Sequence, residues 1–298
     1  MSRLVCLGLV VKDVVFHVHH IPPTPQKLTA QSMRVGFGGM AAAAAAAAAA
    51  LGGEVEFWGR IGDDDIGREA LQAFKTRGVE TCVKVMANSQ SPVSAVIVDD
   101  AGERMLAAYP GQMDLDADWL PLDRLTGVKA VHADFRWVEG ARALYLAAQK
   151  IGCPRVLDAD AGNVQALKEL IPLADHIIFS ESGLAGLAKG KHVEQALLEV
   201  AADRDVVAGV TLGERGSLFA HRGSLHSFAA PKVVALDTNG AGDVFHGAYA
   251  LAMARQMSWP DAVRYATATA SLKCTKPHGW AQLPTDPDVM AFMKAQAC

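Results

Sequence analysis

What most limits the folds open to this chain is a regular alternation of short apolar runs with longer stretches of helical period. Val55-Glu56-Phe57-Trp58, residues 128–133, Arg155-Val156-Leu157-Asp158, His176-Ile177-Ile178-Phe179 and residues 206–211 read as strands. Residues 67–77, 140–151, 164–173 and 192–202 read as the helices between them. A helix between two strands carries the chain back over the sheet, so successive strands run the same way. The pattern predicts an α/β fold with a mostly parallel central sheet. The opening run Leu4-Val5-Cys6-Leu7-Gly8-Leu9-Val10-Val11 reads as a buried first strand and not a signal peptide, because Lys12 and Asp13 follow at once. With 298 residues, 51% of them hydrophobic and 20% charged, the chain can build one large core, so residues 1–298 are read as one domain.

Two segments break the alternation. Residues 94–98 and 104–109 flank the turn Asp99-Asp100-Ala101-Gly102, a hairpin signal. Residues 14–35 are extended in character, with prolines at 22, 23 and 25. Together, about 14–35 and 92–110 are expected to form a small β-lid, because neither piece can build its own core. The ten alanines that follow Met40 predict a buried helix, since alanine has high helix propensity and permits close packing. The run 40–51 falls short of the ~20 apolar residues needed to span a bilayer. A net charge of −4 offers no footprint for nucleic acid or an anionic membrane. Five cysteines at 6, 82, 153, 274 and 298, with no C-x-x-C pair, fit a reducing, cytoplasmic setting.

The strongest chemical motif is Asp237-Thr238-Asn239-Gly240-Ala241-Gly242-Asp243, between a strand-like stretch at 232–236 and a helical pattern at 248–255. A Gly240-Ala241-Gly242 turn entering a helix presents backbone N–H groups to an anion at the positive end of the helix dipole. Asp243, in the first turn, then reads either as a general base beside that anion hole or as a helix cap. Gly38 and Gly39, ahead of the alanine run, fit close ligand approach or a plain tight turn. Thr211-Leu212-Gly213-Glu214-Arg215-Gly216 fits a ligand-binding turn at a strand's carboxyl end or a hairpin connection. Asp63-Asp64-Asp65 reads as a helix cap. Asp13 is a candidate for gripping substrate hydroxyls, and Lys27 and Arg136 for an anionic substrate end, against solvated surface charge as the plain alternative. His17, His19 and His20 read as a rim of the lid, not a metal set.

In this order, Asp13, Gly38-Gly39, Leu51-Gly52, Gly59-Arg60-Ile61-Gly62-Asp63-Asp64, Thr211 to Gly216 and Gly240-Ala241-Gly242-Asp243 resemble the PfkB (ribokinase-like) carbohydrate kinase family over essentially the whole chain. The resemblance implies a ribokinase-like three-layer α/β/α fold, ATP with Mg²⁺, and phosphoryl transfer to a sugar hydroxyl. It makes Asp243 the base and Gly240, Ala241 and Gly242 the anion hole. Thr211, Gly213 and Gly216 become part of the ATP site, with Lys273 to Gly279 in the segment closing over the nucleotide. In many members that segment also closes over a monovalent cation such as K⁺, and Asp237 corresponds to the cation loop. Asp13, Gly38 and Gly39 correspond to sugar-binding positions, and the lid closes over the sugar and pairs two subunits into a homodimer.

Two departures stand out. The Asn-x-x-Glu motif that helps many members organise Mg²⁺ is replaced by Ser180-Glu181-Ser182-Gly183, leaving Glu181 as its substitute. Ala43 stands where ribose-type members carry Asn. Within the family, residues 132–137, 179–184, 242–248 and 272–277 are most similar to 6-deoxy-6-sulfofructose kinases, which implies a ketohexose derivative phosphorylated on a primary hydroxyl. Ala107 and Ala108 stand where an amide would be expected in that group, leaving other ketoses or ketose phosphates open. The alternatives are a nucleoside kinase of the same fold and a non-catalytic ATP- or sugar-binding paralogue.

Overall fold

The structure is a computed structural model and describes residues 2–202, 205–276 and 279–296. In chain order the strands are β1 (Arg3–Gly8), β2 (Val11–His17), β3 (Ser32–Gly38), β4 (Glu54–Gly62), β5 (Glu80–Met86), β6 (Val93–Val98), β7 (Arg104–Tyr109), β8 (Ala130–Asp134), β9 (Arg155–Ala159), β10 (His176–Ser180), β11 (Val207–Thr211), β12 (Ser217–His221) and β13 (Ser224–Phe228). The helices are α1 (Met40–Ala50), α2 (Asp65–Thr76), α3 (Val138–Lys150), α4 (Val164–Leu170), α5 (Glu181–Ala188), α6 (Val193–Val200), α7 (Ala241–Ala254), α8 (Trp259–Cys274) and α9 (Asp286–Gln296). A nine-stranded sheet runs β13-β12-β11-β10-β9-β8-β1-β4-β5. Its strands are parallel from β11 to β5, and only β12 and β13 run antiparallel.

β1 lies inside the sheet and is buried on both faces. Leu4 and Cys6 point into one core, with α1, α2, α7 and α8, while Val5 and Leu7 point into the other, with α3, α4 and α6. This is the expected three-layer α/β/α sandwich. The alanine run is α1, buried from Ala41 to Ala48. Its composition answers a packing need: a Cβ on Gly247 of α7 would lie 2.2 Å from the Ala44 carbonyl oxygen. Two backbones that close leave room only for small side chains.

The lid exists and is larger than the sequence suggests. It is a four-stranded sheet ordered β3-β2-β6-β7, reaching back to Val11 and on to Gly38. β2 pairs antiparallel with β3 and parallel with β6. The triple aspartate acts as read: Asp64 caps α2, accepting from the Gly67 N–H at 2.8 Å. One expectation needs correction. Residues 232–236 form no strand; the stretch is irregular, with Val234 and Leu236 exposed, since no strand is placed to pair with it. The turn at 211–216 does connect a hairpin, because β12 returns antiparallel to β11.

Candidate active site

The parallel strands end along one edge of the sheet, and the candidate residues converge there. α7 begins at Gly240, whose φ of 71° is left-handed and therefore suits glycine. The Ala241 N–H is held by the Thr238 carbonyl at 3.2 Å. Those of Gly242 and Asp243 have no carbonyl four residues back within the helix. A Cβ on Gly242 would meet nothing within 4 Å, so the space over these donors is open to an anion. Gly240, not Asp243, occupies the N-cap position of α7, and Asp243 stands inside the first turn. Its pKa is pushed up to about 7, first by loss of solvent and then by the carboxylates of Asp160, Asp134 and Asp13, with Lys273 opposing.

The carboxylates come from strand ends. Asp134, at the end of β8, is fully buried and accepts from the backbone N–H groups of Leu9, Ala41 and Arg136 at 3.1, 3.2 and 2.9 Å. It thereby serves the start of α1, which lacks a side-chain cap of its own. Gly8 and Gly39 make this possible: a Cβ on Gly8 would fall 2.1 Å from the Asp134 carboxylate, and one on Gly39 would fall 2.3 Å from the Leu9 carbonyl. Beneath Asp243, the buried side chains of His132, Asp158 and His246 place polar atoms within 4.8 Å of one another. Burial keeps both imidazoles neutral, and burial with the charges of Asp243 and Asp160 holds the Asp158 pKa far above the usual carboxylate range.

On the lid side, Asp13 accepts a short hydrogen bond from the Ser94 hydroxyl. Its pKa is raised by burial, against the lowering effects of Ser94 and Arg34. A Cβ on Gly38 would lie 2.1 Å from the Asp13 carboxylate, so glycine is what lets β3 pass it. Arg34 of β3 lies 3.5 Å from the Asp237 carboxylate, and Arg104 of β7 donates to the Thr238 hydroxyl at 2.8 Å. A cavity of about 750 Å³ lies between these lid strands and the loop 237–239.

A second cavity of about 920 Å³ opens on the other side of that loop. Its walls bring together Thr211, Gly213 and Gly216 with Ala241 and Gly242. Gly216 has a φ of 87°, and a Cβ there would fall 2.0 Å from the Phe228 carbonyl. Lys273 and Gly279 are not among the described residues lining this cavity. Gly279 opens a 3-10 turn whose Trp280 ring packs against Phe37 and Phe74. Lys273 is buried behind the loop, its ammonium on the Asp237 and Asn239 carbonyls. Glu181 points to Arg215 at 2.5 Å. Arg136 is exposed, its guanidinium 4.7 Å over the Phe135 ring, and Lys27 is exposed in the connection from β2 to β3.

The model described as pfkB family carbohydrate kinase matches residues 1–286. The chain belongs to the PfkB family of carbohydrate kinases. A ribokinase of Haemophilus influenzae is 26% identical over 306 residues, covering 98% of this chain and 99% of that one. A fructokinase of Vibrio alginolyticus is 26% identical, covering 86% of this chain and 91% of its own. Among solved structures, a protein of Agrobacterium tumefaciens superposes with a TM-score of 0.92 at 31% identity, over 98% of this chain and 97% of its own. The Arabidopsis thaliana ribokinase complexed with ribose and ATP shares the fold at a TM-score of 0.86 and 24% identity, with 98% of each chain covered. As a PfkB kinase the chain is an ATP-dependent phosphotransferase of the sugar and nucleoside kinase class.

Sequence reading missed Asp134, Asp158 and Asp160, the lid arginines Arg34 and Arg104, and His132 and His246. A signal was present for the aspartates, which stand at the carboxyl ends of β8 and β9, where α/β sheets bind ligands.

Proposed function

We propose that the chain transfers the γ-phosphoryl group of ATP to a primary hydroxyl of a ketohexose derivative, with Asp243 as the base. The observation that carries this reading is the position of Asp243. It stands at the helix start, between the cavity lined by Thr211 and Gly216 and the side lined by Asp13 and Gly38, with a pKa near 7. ATP occupies the first cavity, its terminal phosphate over the open N–H groups of Gly242 and Asp243. The sugar lies under the lid, held by Asp13. Asp243 takes the hydroxyl proton as the oxygen attacks, and the helix start stabilises charge on the passing phosphoryl group. A pKa near the working pH suits a base that must be free yet still accept a proton.

The residues suit Mg²⁺. Asp160, Asp134 and Asp13 raise the Asp243 pKa by repulsion, and a divalent cation relieves such an excess of carboxylate. Asp160 would hold it, leaving the Asp243 carboxylate free to take the hydroxyl proton, and it would neutralise phosphate charge. Glu181 is engaged with Arg215 and is a weaker substitute for the missing motif.

The choice of sugar rests on residue chemistry. Arg136 and Lys27 are exposed cations suited to an anionic end such as the sulfonate of 6-deoxy-6-sulfofructose or a phosphate. Fructose, fructose 6-phosphate, 6-deoxy-6-sulfofructose, ribose and inosine, each with MgATP, form the deciding panel. Highest kcat/KM for an anionic ketohexose is expected; preference for inosine would move the assignment to nucleosides.

The lid also supports a homodimer. Met33, Val35, Val14, Phe16, Ala95, Ile97, Met105 and Ala107 fall on one face by strand register, opposite the face bearing Asp13, Ser94 and Arg34. Met33 and Met105 are 61% and 50% exposed, so no described residue covers these two side chains. A second copy would cover them. Cys6, Cys82, Cys153 and Cys274 are free thiols, which supports a reducing, cytoplasmic setting. No helix among the described residues is long and apolar enough to cross a membrane.

A further inference from the structure

The loop 237–240 connects the two cavities and carries the helix start that faces the phosphate. The carbonyls of Asp237 and Asn239 turn towards the protein, and what they meet there is an ammonium. Lys273, in the last turn of α8, is 2% exposed. Its Nζ donates to the Asp237 carbonyl at 2.9 Å and, more closely, to the Asn239 carbonyl, and lies 3.8 Å from Asp237 Oδ1. Burying a lysine costs solvation and the rotamer freedom of a long side chain, so an ammonium in such a place is normally compensated by oxygen donors. Here two carbonyls and a carboxylate supply that compensation, a set of oxygens that would equally hold a hard monovalent cation.

The surroundings point the same way. The loop is gripped from three sides: by Lys273 from α8, by Arg34 on the Asp237 carboxylate, and by Arg104 on the Thr238 hydroxyl. Three cations thus surround one short turn. A fourth on the same carbonyls would lie against the Lys273 ammonium without a further described carboxylate to balance it. The loop therefore does not fit a free K⁺.

We propose that Lys273 is a covalently tethered stand-in for the monovalent cation, so that this kinase holds its phosphate-facing turn without K⁺. This rests on the phosphoryl-transfer reading. Lys273 is not among the described residues lining either cavity and is a positioning residue: by drawing the Asp237 and Asn239 carbonyls inward it leaves the N–H groups of Gly242 and Asp243 facing out.

Turnover of the purified wild type with its best sugar is measured in tetramethylammonium buffer, with and without added K⁺. Rates agreeing within about twofold are expected, and a rise of about tenfold or more with K⁺ would overturn the proposal. Lys273→Met is expected to lose about 10²-fold in kcat, with a smaller change in the KM for sugar, and to recover saturably with K⁺ or NH₄⁺. Lys273→Arg is expected to retain more activity than Lys273→Met. A folded Lys273→Met that no cation rescues would count against the stand-in role. Crystals soaked in Rb⁺ give a reading independent of turnover and of the variant's stability: no anomalous peak at the Asp237–Asn239 carbonyls is expected in the wild type, and a peak there would refute the assignment. If the wild type turned over no sugar with or without K⁺, the kinase reading would fail, while the Rb⁺ result would still decide the occupant of the loop.

Discussion

The body and the lid are built by opposite rules. In the body, every parallel strand from β10 to β4 is sandwiched between helices, and the larger of the two described cavities is walled by residues at strand and helix ends, among them Thr211, Gly216, Ala241 and Phe245. The lid is a single sheet with one face on the site and the other bare. The body holds its geometry by packing. The lid meets the body through Phe37, which packs on Trp280, and through the polar contacts of Arg34 and Arg104. Changes in the body should therefore reduce the chemical step or stability, and changes in the lid should alter sugar affinity and assembly.

The largest effect is expected at the junction. Asp243→Asn should lower kcat by about 10³-fold while ATP still raises the melting temperature, since the variant keeps its helix start. A loss within a few-fold would remove Asp243 from the role of base. Next in size is Gly38→Ala. The new methyl must displace the Asp13 carboxylate, so KM for the sugar should rise about tenfold or more, with KM for ATP little changed. Equal losses for both substrates would erase the division between lid and body. Met33→Glu combined with Met105→Glu puts charge on the bare lid face. Light scattering is expected to report dimers for the wild type and monomers for this variant; an equal mass for the two would remove the lid face from any dimer contact. The smallest effect is on stability. The Asp243 pKa is raised in the folded state, so its contribution is full below pH ~4 and is lost as pH rises through about 7. Asp243→Asn should hence melt higher than wild type above neutrality, by roughly 2–4 °C, with the gap closing towards acid pH.

The same contrast governs what was legible in the sequence. The body strands announced themselves because burial on both faces makes them continuous apolar runs. The helix start at Gly240 was legible because its turn needs glycine and opens a helix. Asp134, Asp158 and Asp160 were not, because an aspartate after a strand looks the same whether it ends in solvent or in a site. Only the order β9-β8-β1 brings them beside Asp13 and α7. α5 was missed because Gly183, Ala185, Gly186 and Ala188 blur its apolar period, although Ser180 caps it through the Gly183 N–H at 2.9 Å. Residues 232–236 misled in the other direction: Val233 and Val234 have strand propensity, but a strand needs a neighbour. Lys273 lies 36 positions from Asp237 in the chain, so its grip on that carbonyl is visible only in three dimensions.

The central claim is that Asp243, at the meeting of body and lid, is a base whose pKa is lifted to about 7, first by burial and then by the neighbouring carboxylates. The pH dependence of kcat/KM for the sugar, at saturating MgATP, tests it most directly. Activity should fall on the acid side with the loss of one proton-accepting group titrating near 7, and the residual activity of Asp243→Asn should lack that limb. A wild-type profile flat across this range, or one whose acid limb survives in Asp243→Asn, would contradict the account.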